Sequence, residues 1–285
     1  MSRRMRAYYY AILGAMGGLI GWQLSNLLGL SFAPGLLLND AIVGGLIGVT
    51  VGGLIGATEG IVQRSLARAL RTGVVSAALG LAAGAIGLPI GEWLFLTAGG
   101  GTIARAMGWA VFGTLIGLAE SWHGGGQAWK GALGGALGGL LGGALLEVAR
   151  QRFADPLSGK GVGLVLLGAA IGAMTALIVV LLSRAWLEVT SGKLKGSEFI
   201  LDKFLKKGGP SVILGSDGFK ADIVLPDPDI APQHALLHGD GFRFLIKDLS
   251  TQGTFVERRR VEMVALADGQ RIRMGNTELV YRERR

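Results

Sequence analysis

The chain has 285 residues, of which 50% are hydrophobic and only 17% charged, with a formal net charge of +8. That balance excludes a disordered or wholly water-soluble chain and points to a protein that lives partly in lipid. With no cysteine and three histidines, disulfide frameworks, thiol nucleophiles, zinc ribbons and iron–sulfur clusters are excluded, and neither a metal site nor a cofactor is expected.

Composition breaks near residue 190. Residues 1–190 hold 39 of the 50 glycines, with 12 Lys/Arg against 7 Asp/Glu; residues 191–285 hold 16 against 13, and charge density rises about threefold. Two domains are expected, a multi-span membrane domain over 1–190 and a small cytoplasmic domain over 191–285. The basic excess is modest in both and suits anionic lipid better than nucleic acid.

After the basic start Met1–Arg6 the chain turns apolar and stays so too long for a signal peptide, which makes this stretch an uncleaved first span. Spans are predicted at Ala7–Leu28, Ala41–Ile61, Val74–Phe95, Ala106–Ser121, Gly131–Glu147 and Val162–Leu182. Ten basic residues flank one side: Arg3, Arg4, Arg6, Arg64, Arg68, Arg71, Lys130, Arg184, Lys193 and Lys195. Four flank the other, namely Arg105, Arg150, Arg152 and Lys160. The bias places both termini in the cytoplasm, and the Arg150–Lys160 connection is its weak point.

Gly44, Gly48, Gly52, Gly56 and Gly60 recur every fourth residue, as do Gly131, Gly135, Gly139 and Gly143. Such registers let helix backbones approach closely in lipid, where apolar surface alone gives no reason to associate. They predict a tightly packed glycine-zipper bundle or a homo-oligomer. Residues 54–59 (LIGATE) return as residues 115–120 (LIGLAE), and more weakly as residues 170–175 (AIGAMT), so the repeating unit is a two-helix hairpin used three times. Glu59 and Glu120 hold equivalent repeat positions. As intramembrane acids they are candidates for a cation or proton path, the simpler reading being that they end their spans at the interface. Trp22, Trp93, Trp109, Trp122, Trp129 and Trp186 fall near span ends, as an interfacial belt would. His123 reads as a solvated loop residue.

Beyond the linker Thr190–Gly196, short alternating runs separated by Gly, Asp, Asn and Pro turns predict an all-β sandwich or barrel: Glu198–Leu201, Ser211–Leu214, Asp222–Leu225, Ala235–Leu237, Phe242–Asp248, Gly253–Val256, Gly269–Met274 and Thr277–Tyr281.

Residues 222–228 (DIVLPDP), His234, residues 248–256 (DLSTQGTFV), Leu266, Asp268-Gly269 and residues 272–279 (IRMGNTEL) together resemble the forkhead-associated (FHA) domain family over about residues 193–282. The resemblance implies a two-sheet β-sandwich whose apical loops read phosphothreonine peptides, here at Ser216, Lys220, Ala231, His234, Ser250, Thr251, Gln252 and Gly253. Three positions depart from the family pattern. Ser216 stands where a phosphate-binding arginine is expected, Ala231 replaces a serine, and Gln252 replaces an asparagine. Phosphothreonine carries roughly −1.5 to −2 charges and relies on arginine or clustered donors, so weak or absent phosphate dependence is expected. Lys220 or the run Arg258-Arg259-Arg260 offers a replacement charge; the simpler reading of that run is a basic edge facing anionic lipid.

The expected architecture is therefore an α-helical polytopic bundle of about six glycine-zipper helices in hairpin repeats, followed by an all-β FHA-like sandwich. Expected partners are the lipid bilayer and a protein, phosphorylated or not. The expected function is recruitment or signalling at the cytoplasmic membrane, the alternative being a channel or transporter regulated by the sandwich. No nucleophile–base set, carboxylate pair or metal-ligand spacing suggests an enzyme.

Overall fold

The computed structural model describes residues 3–30, 37–62, 66–121, 128–205 and 208–284. Trp122, His123 and Arg64 lie outside them, as do the side chains of Arg3, Arg4 and Arg68. The chain divides into two compact units, one built from helices and the other, from Leu182 onward, from strands.

Six helices form where six spans are predicted: α1 (Arg3–Leu27), α2 (Leu37–Val62), α3 (Leu66–Thr97), α4 (Thr102–Ser121), α5 (Ala128–Arg152) and α6 (Pro156–Leu181). Among the described residues, α2 to α6 are long and apolar enough to cross a membrane. Helix α1 falls short: three arginines, three tyrosines, Gln23, Ser25 and Asn26 dilute its apolar face. Only residues 153–155 separate α5 from α6, which turns back alongside it. Asp155 caps α6, its carboxylate accepting from Leu157 N–H (3.2 Å) and Ser158 N–H (2.9 Å), and Pro156 follows with no N–H to leave unsatisfied. Arg150 and Arg152 thus belong to the last turn of α5 and Lys160 to the second turn of α6.

Glycine contacts close the six helices into a ring. Seams join α2 to α3 (Gly44 against Gly84, Gly48 against Gly80), α4 to α5 (Gly113 against Gly135, Gly117 against Gly131) and α6 to α1 (Gly168 against Gly14). At each of these pairs a Cβ on either glycine would collide with the carbonyl of the other. Only glycine allows this approach, which gains dispersion and Cα–H···O contacts along each seam. Looser contacts complete the circuit between α1 and α2 (Gly17 against Val51), α3 and α4 (Gly91 against Gly108), and α5 and α6 (Gly138 against Ile171). The rest of the two registers also faces neighbours within the chain: Gly52 and Gly56 meet Ser76, Gly60 meets Ala69, and Gly139 and Gly143 meet Trp109. The glycine registers thus account for packing inside one copy.

The tight seams link successive hairpins, α2 to α3, α4 to α5 and α6 back to α1, in a pseudo-threefold arrangement. Residues at matching repeat positions meet in one buried cluster: Val51, Phe112 and Leu167 form one set, and Ile55, Ile116 and Ile171 another, none more than 1% exposed. Outward positions also carry bulk, with Leu19, Leu81, Ile86, Leu133, Leu137 and Leu140 all exposed. Glycine at the seams and large apolar residues facing outward is the pattern of helices packed in lipid. Trp22 and Trp109 depart from the expected belt. Trp22 lies over Gly161, where a Cβ would stand 3.0 Å from the indole, and Trp109 lies over Gly143, both ring nitrogens being buried. The space left by the glycines admits them. Trp93 and Trp129 remain exposed.

The second unit is a two-sheet sandwich of β1 (Ala185–Val189), β2 (Glu198–Ile200), β3 (Val212–Gly215), β4 (Ile223–Val224), β5 (Ala235–Gly239), β6 (Phe244–Asp248), β7 (Thr254–Val256), β8 (Arg259–Val261), β9 (Met263–Ala265), β10 (Arg271–Met274) and β11 (Thr277–Glu283). One sheet runs β2-β1-β11-β10-β7-β8 and the other β4-β3-β5-β6-β9. Inward residues alternate along each strand, such as Leu187, Leu214, Leu237, Ile246, Ile272 and Leu279, and fill the core with Phe244 edge-on to Tyr281. Three strands escape the sequence reading. β1 hides in the apolar tail of α6, so Trp186 is a strand residue rather than a belt residue. β8 and β9 are short strands, and β7 and β8 join through Glu257 (φ 49°) and Arg258 (φ 67°), a left-handed two-residue turn lacking the usual Asn-Gly signature.

Candidate functional site

The connections β3–β4, β4–β5, β6–β7 and β10–β11 gather at one end of the sandwich, the end at which Leu214 pairs with Ala235 and Met274 with Thr277. His234 braces them from beneath. Fully buried, it accepts the Ala231 N–H at Nδ1 (3.1 Å) and directs Nε2 at the Gly253 carbonyl (3.2 Å). An accepting Nδ1 fixes the tautomer with the proton on Nε2. Burial holds the imidazole pKa below its usual value, against the pull of the Gly253 carbonyl and the Asp248 carboxylate.

The β6–β7 loop is built on Asp248. Its Oδ1 accepts from Ser250 N–H (3.1 Å), Ser250 Oγ (2.9 Å) and Thr254 Oγ1 (2.9 Å), while Ser250 Oγ accepts the Gly253 N–H (2.9 Å). Burial opposes ionisation of Asp248, but these donors outweigh it and hold the carboxyl below the ordinary range. Asp227 does the same for the β10–β11 turn. It accepts from Asn276 N–H (2.9 Å) and Thr277 Oγ1 (3.0 Å), and its pKa is lowered because these donors and Asp229 N–H prevail over burial. Gly253 (φ 91°) and Gly275 (φ 55°) take backbone conformations that a side chain would strain.

Of the candidate residues, the structure brings His234, Ser250 and Gly253 into one network and makes them braces. Ser216 faces the neighbouring loop: its N–H donates to the Ala231 carbonyl (3.0 Å) and its hydroxyl to the Ile230 carbonyl (2.7 Å). Ala231 contributes a methyl group. Thr251 and Gln252 are exposed at the tip, and the carbonyl of exposed Lys220 accepts from Gln233 (3.3 Å). Two further residues belong here. Arg260 of β8 donates from Nη2 to the Thr251 carbonyl (3.2 Å) and lies over Gly253, so one of the three consecutive arginines does reach the loops, across the sheet. Phe219, in the β3–β4 loop, is 93% exposed, and its N–H is held by Asp217 Oδ1 (2.8 Å). An aromatic residue inside an Asp-Gly turn is the sequence signal for it.

The two candidate acids of the bundle are not equivalent. Glu59 is partly exposed and ion-paired with Arg6. Glu120 has its Oε2 buried without a hydrogen-bond partner among the described residues. Both lie in the last turn of their helices.

Residues 212–275 match the family model for the FHA domain. Among curated proteins the chain is similar to the glycogen accumulation regulator GarA of Mycolicibacterium smegmatis, 33% identical over 98 residues, which is 34% of this chain and 58% of that protein. It is also similar to GarA of Mycobacterium tuberculosis, 31% identical over 98 residues, 34% of this chain and 56% of that one. The match thus spans little more than half the length of these relatives. Among solved structures it is similar to the FHA domain of the CT664 protein from Chlamydia trachomatis (36% identity, 36% of this chain, 100% of that one, TM-score 0.33). Another is the FhaA FHA domain complexed with the intracellular domain of Rv3910 (32% identity, 34% and 99%, TM-score 0.30). The strand-built part of this chain is a forkhead-associated (FHA) domain.

Proposed function

We propose that the helical unit is a multi-pass anchor in the cytoplasmic membrane, in which α1 crosses beside the more apolar α2 and α6 it packs against so that both termini are cytoplasmic, and that it presents an FHA domain for recruitment or signalling. The lipid-type exterior of the bundle supports the anchor, and the family's role as a protein-interaction module supports recruitment. The regulatory role printed for GarA and the complex formed by FhaA favour a protein partner.

Partner binding depends little on phosphate. The observation that carries this is the commitment of the Ser216 hydroxyl to the Ile230 carbonyl beside the bare methyl of Ala231. Neither position offers phosphate a free donor, and of the candidate cations Lys220 is exposed while Arg260 is already held by the Thr251 carbonyl. Exposed Phe219 supplies apolar contact instead. Charge-assisted hydrogen bonds contribute about 1.5–3 kcal/mol each, so losing two removes most of the preference for phosphate. The test is a peptide library presented as matched threonine and phosphothreonine pairs to the full chain in nanodiscs. Preferences below about tenfold, or about 1.4 kcal/mol, are expected; a hundredfold phosphatase-sensitive preference would overturn the reading.

The channel or transporter reading finds less support. The two sets of large apolar side chains from α2, α4 and α6 pack against one another where a water path through the ring would run.

A further inference from the structure

The bundle holds a cavity of about 500 Å³ at the end where α2, α4 and α6 begin and α3 and α5 finish. That is the size of a small-molecule site. Its floor is apolar, made by Val43, Ile47, Leu146 and Leu164, all at least nine-tenths buried. Its wall carries three acids and three bases, so its formal charge is zero. Glu92 pairs with Arg105 at 2.6 Å, Glu147 with Arg150 at 3.6 Å, and Asp40 and Lys160 feel each other's charge. Arg105 is further held over the Phe95 ring at 3.7 Å.

Two observations argue that this wall is built for a ligand. Two buried polar atoms of the lining lack a hydrogen-bond partner among the described residues, the acceptor Asn39 Oδ1 and the donor Trp109 Nε1; Glu147 Oε2 is buried too and accepts no hydrogen bond, meeting Arg150 Nη1 only as an ion pair at 3.6 Å. Buried polar atoms are otherwise almost always paired, and each exception calls for an unseen partner. Moreover, three of the four basic residues that oppose the positive-inside bias, Arg105, Arg150 and Lys160, line this one cavity. Charge that weakens topology, placed around a recess in a membrane bundle, has a functional reason by default.

We propose that this cavity binds a small amphipathic zwitterion, with an ammonium at Glu147 and Asn39, an acidic group at the Trp109 N–H and the guanidinium of Arg105 or Arg150, and an alkyl part on the apolar floor. A simple anion meets Asp40, Glu92 and Glu147; a simple cation meets the three bases; a ligand carrying both charges meets the orphan acceptor Asn39 Oδ1 and donor Trp109 Nε1 and complements both sets of side chains. A free amino acid and the headgroup of a zwitterionic phospholipid share this chemistry. The site is independent of the FHA loops.

The test uses the full chain in nanodiscs of phosphatidylglycerol alone. Calorimetry and Trp109 fluorescence, assigned with Trp109→Phe, are followed with L-leucine, glycerophosphoethanolamine, isoamylamine and 4-methylvalerate, each up to 10 mM. In a second arm phosphatidylethanolamine is doped into the disc. Binding of at least one zwitterion, ten times or more tighter than both single-charge analogues, is expected, as is a tenfold or greater loss in Glu147→Gln. A response confined to the doped discs assigns the site to lipid. No response to any zwitterion in either arm, or equal affinity for the amine or the acid, would overturn the proposal. The analogue comparison on the unaltered chain needs no variant to fold.

Discussion

Gly45 and Gly48 lie one turn apart on α2, and the structure predicts opposite outcomes for the same substitution. At Gly48 a Cβ would stand 2.9 Å from the carbonyl carbon of Gly80, nearer still to its oxygen, and 3.1 Å from the Gly84 Cα. These are backbone atoms and cannot rotate aside. Carbon atoms prefer separations of about 3.5–4.0 Å, so α2 and α3 must part by roughly 1 Å, and a gap of that size forfeits a quarter to a half of each dispersion contact along the seam. Overpacking of this kind costs about 1–3 kcal/mol, and a rigid partner puts Gly48→Ala at the upper end. The gain in helix propensity, about 1 kcal/mol for Gly to Ala, leaves a net loss of about 2 kcal/mol. At Gly45 the nearest atom to a Cβ is the Leu81 carbonyl oxygen at 3.6 Å, an ordinary contact. Gly45→Ala therefore keeps the propensity gain and is neutral to stabilising by up to about 1 kcal/mol. The difference of about 3 kcal/mol corresponds to roughly 6–12 °C in Tm for a unit of this size. Thermal unfolding in one detergent, scanned side by side, reads it directly. Equal shifts for the two variants would refute close backbone packing at the α2–α3 seam.

Other expectations concern the FHA domain. Its stability depends on pH in two limbs. His234 has a lowered folded pKa, so its contribution is intact above the unfolded value near 6.5 and declines as pH falls below it, while the lowered carboxyls of Asp227 and Asp248 lose theirs below about pH 4. Hydrogen exchange of core strand amides at pH 7.5, 5.5 and 3.5, corrected for intrinsic rates, checks this; a flat response from 7.5 to 5.5 would contradict the role given to His234. Asp248→Ala deprives Ser250 and Thr254 of their acceptor and is expected to cost about 2–4 kcal/mol, seen first as faster exchange at Gly253. Ser216→Arg with Ala231→Ser is expected to raise the preference for phosphothreonine over threonine by about a hundredfold or more, since the two restored charge-assisted bonds together contribute about 3 kcal/mol or more. An unchanged ratio in matched peptide titrations would show that the deficit lies elsewhere.

Much of the architecture is legible in the residues because glycine and turn signals act locally. The four-residue glycine registers identify the helices that meet at close range, and the 54–59 and 115–120 echo identifies the hairpin as the unit. Which helices pair was not legible. The tight seams run between hairpins, α2 to α3 and α6 back to α1, and such closure depends on the whole ring. Burial of Trp22 and Trp109 depends likewise on Gly161 and Gly143 in distant helices. In the sandwich, β1 was masked by the apolar run before it, and the β7–β8 turn by its Glu-Arg pair. The loop residues around His234 were legible through the family resemblance, and their bracing role only in the folded network. The reach of Arg260 to Thr251 was not, because it crosses from one strand to a loop through a register that only the folded sheet defines. The cavity pairs Glu92 with Arg105 and places Asp40 within the field of Lys160, partners that no linear spacing joins.

Strand β1 follows directly on the last helix, yet it is no edge strand: β2 flanks it on one side and β11 on the other. Its entry is fastened further, with the N–H groups of Arg184 and Ala185 both donating to Asp202 Oδ1 at 2.8 Å and Arg284 N–H donating to the Arg184 carbonyl at 2.7 Å. The tether thus enters beside Glu283, whereas Val189, at the other end of β1, pairs with Leu279 close to the binding loops. If the helical unit anchors the chain as proposed, a tug between a captured partner and the bilayer would run lengthwise along β1, so the flanking ladders would be sheared together instead of unzipped one rung at a time. Under that load the domain would be held by a strand from its interior, a mount suited to a surface in motion.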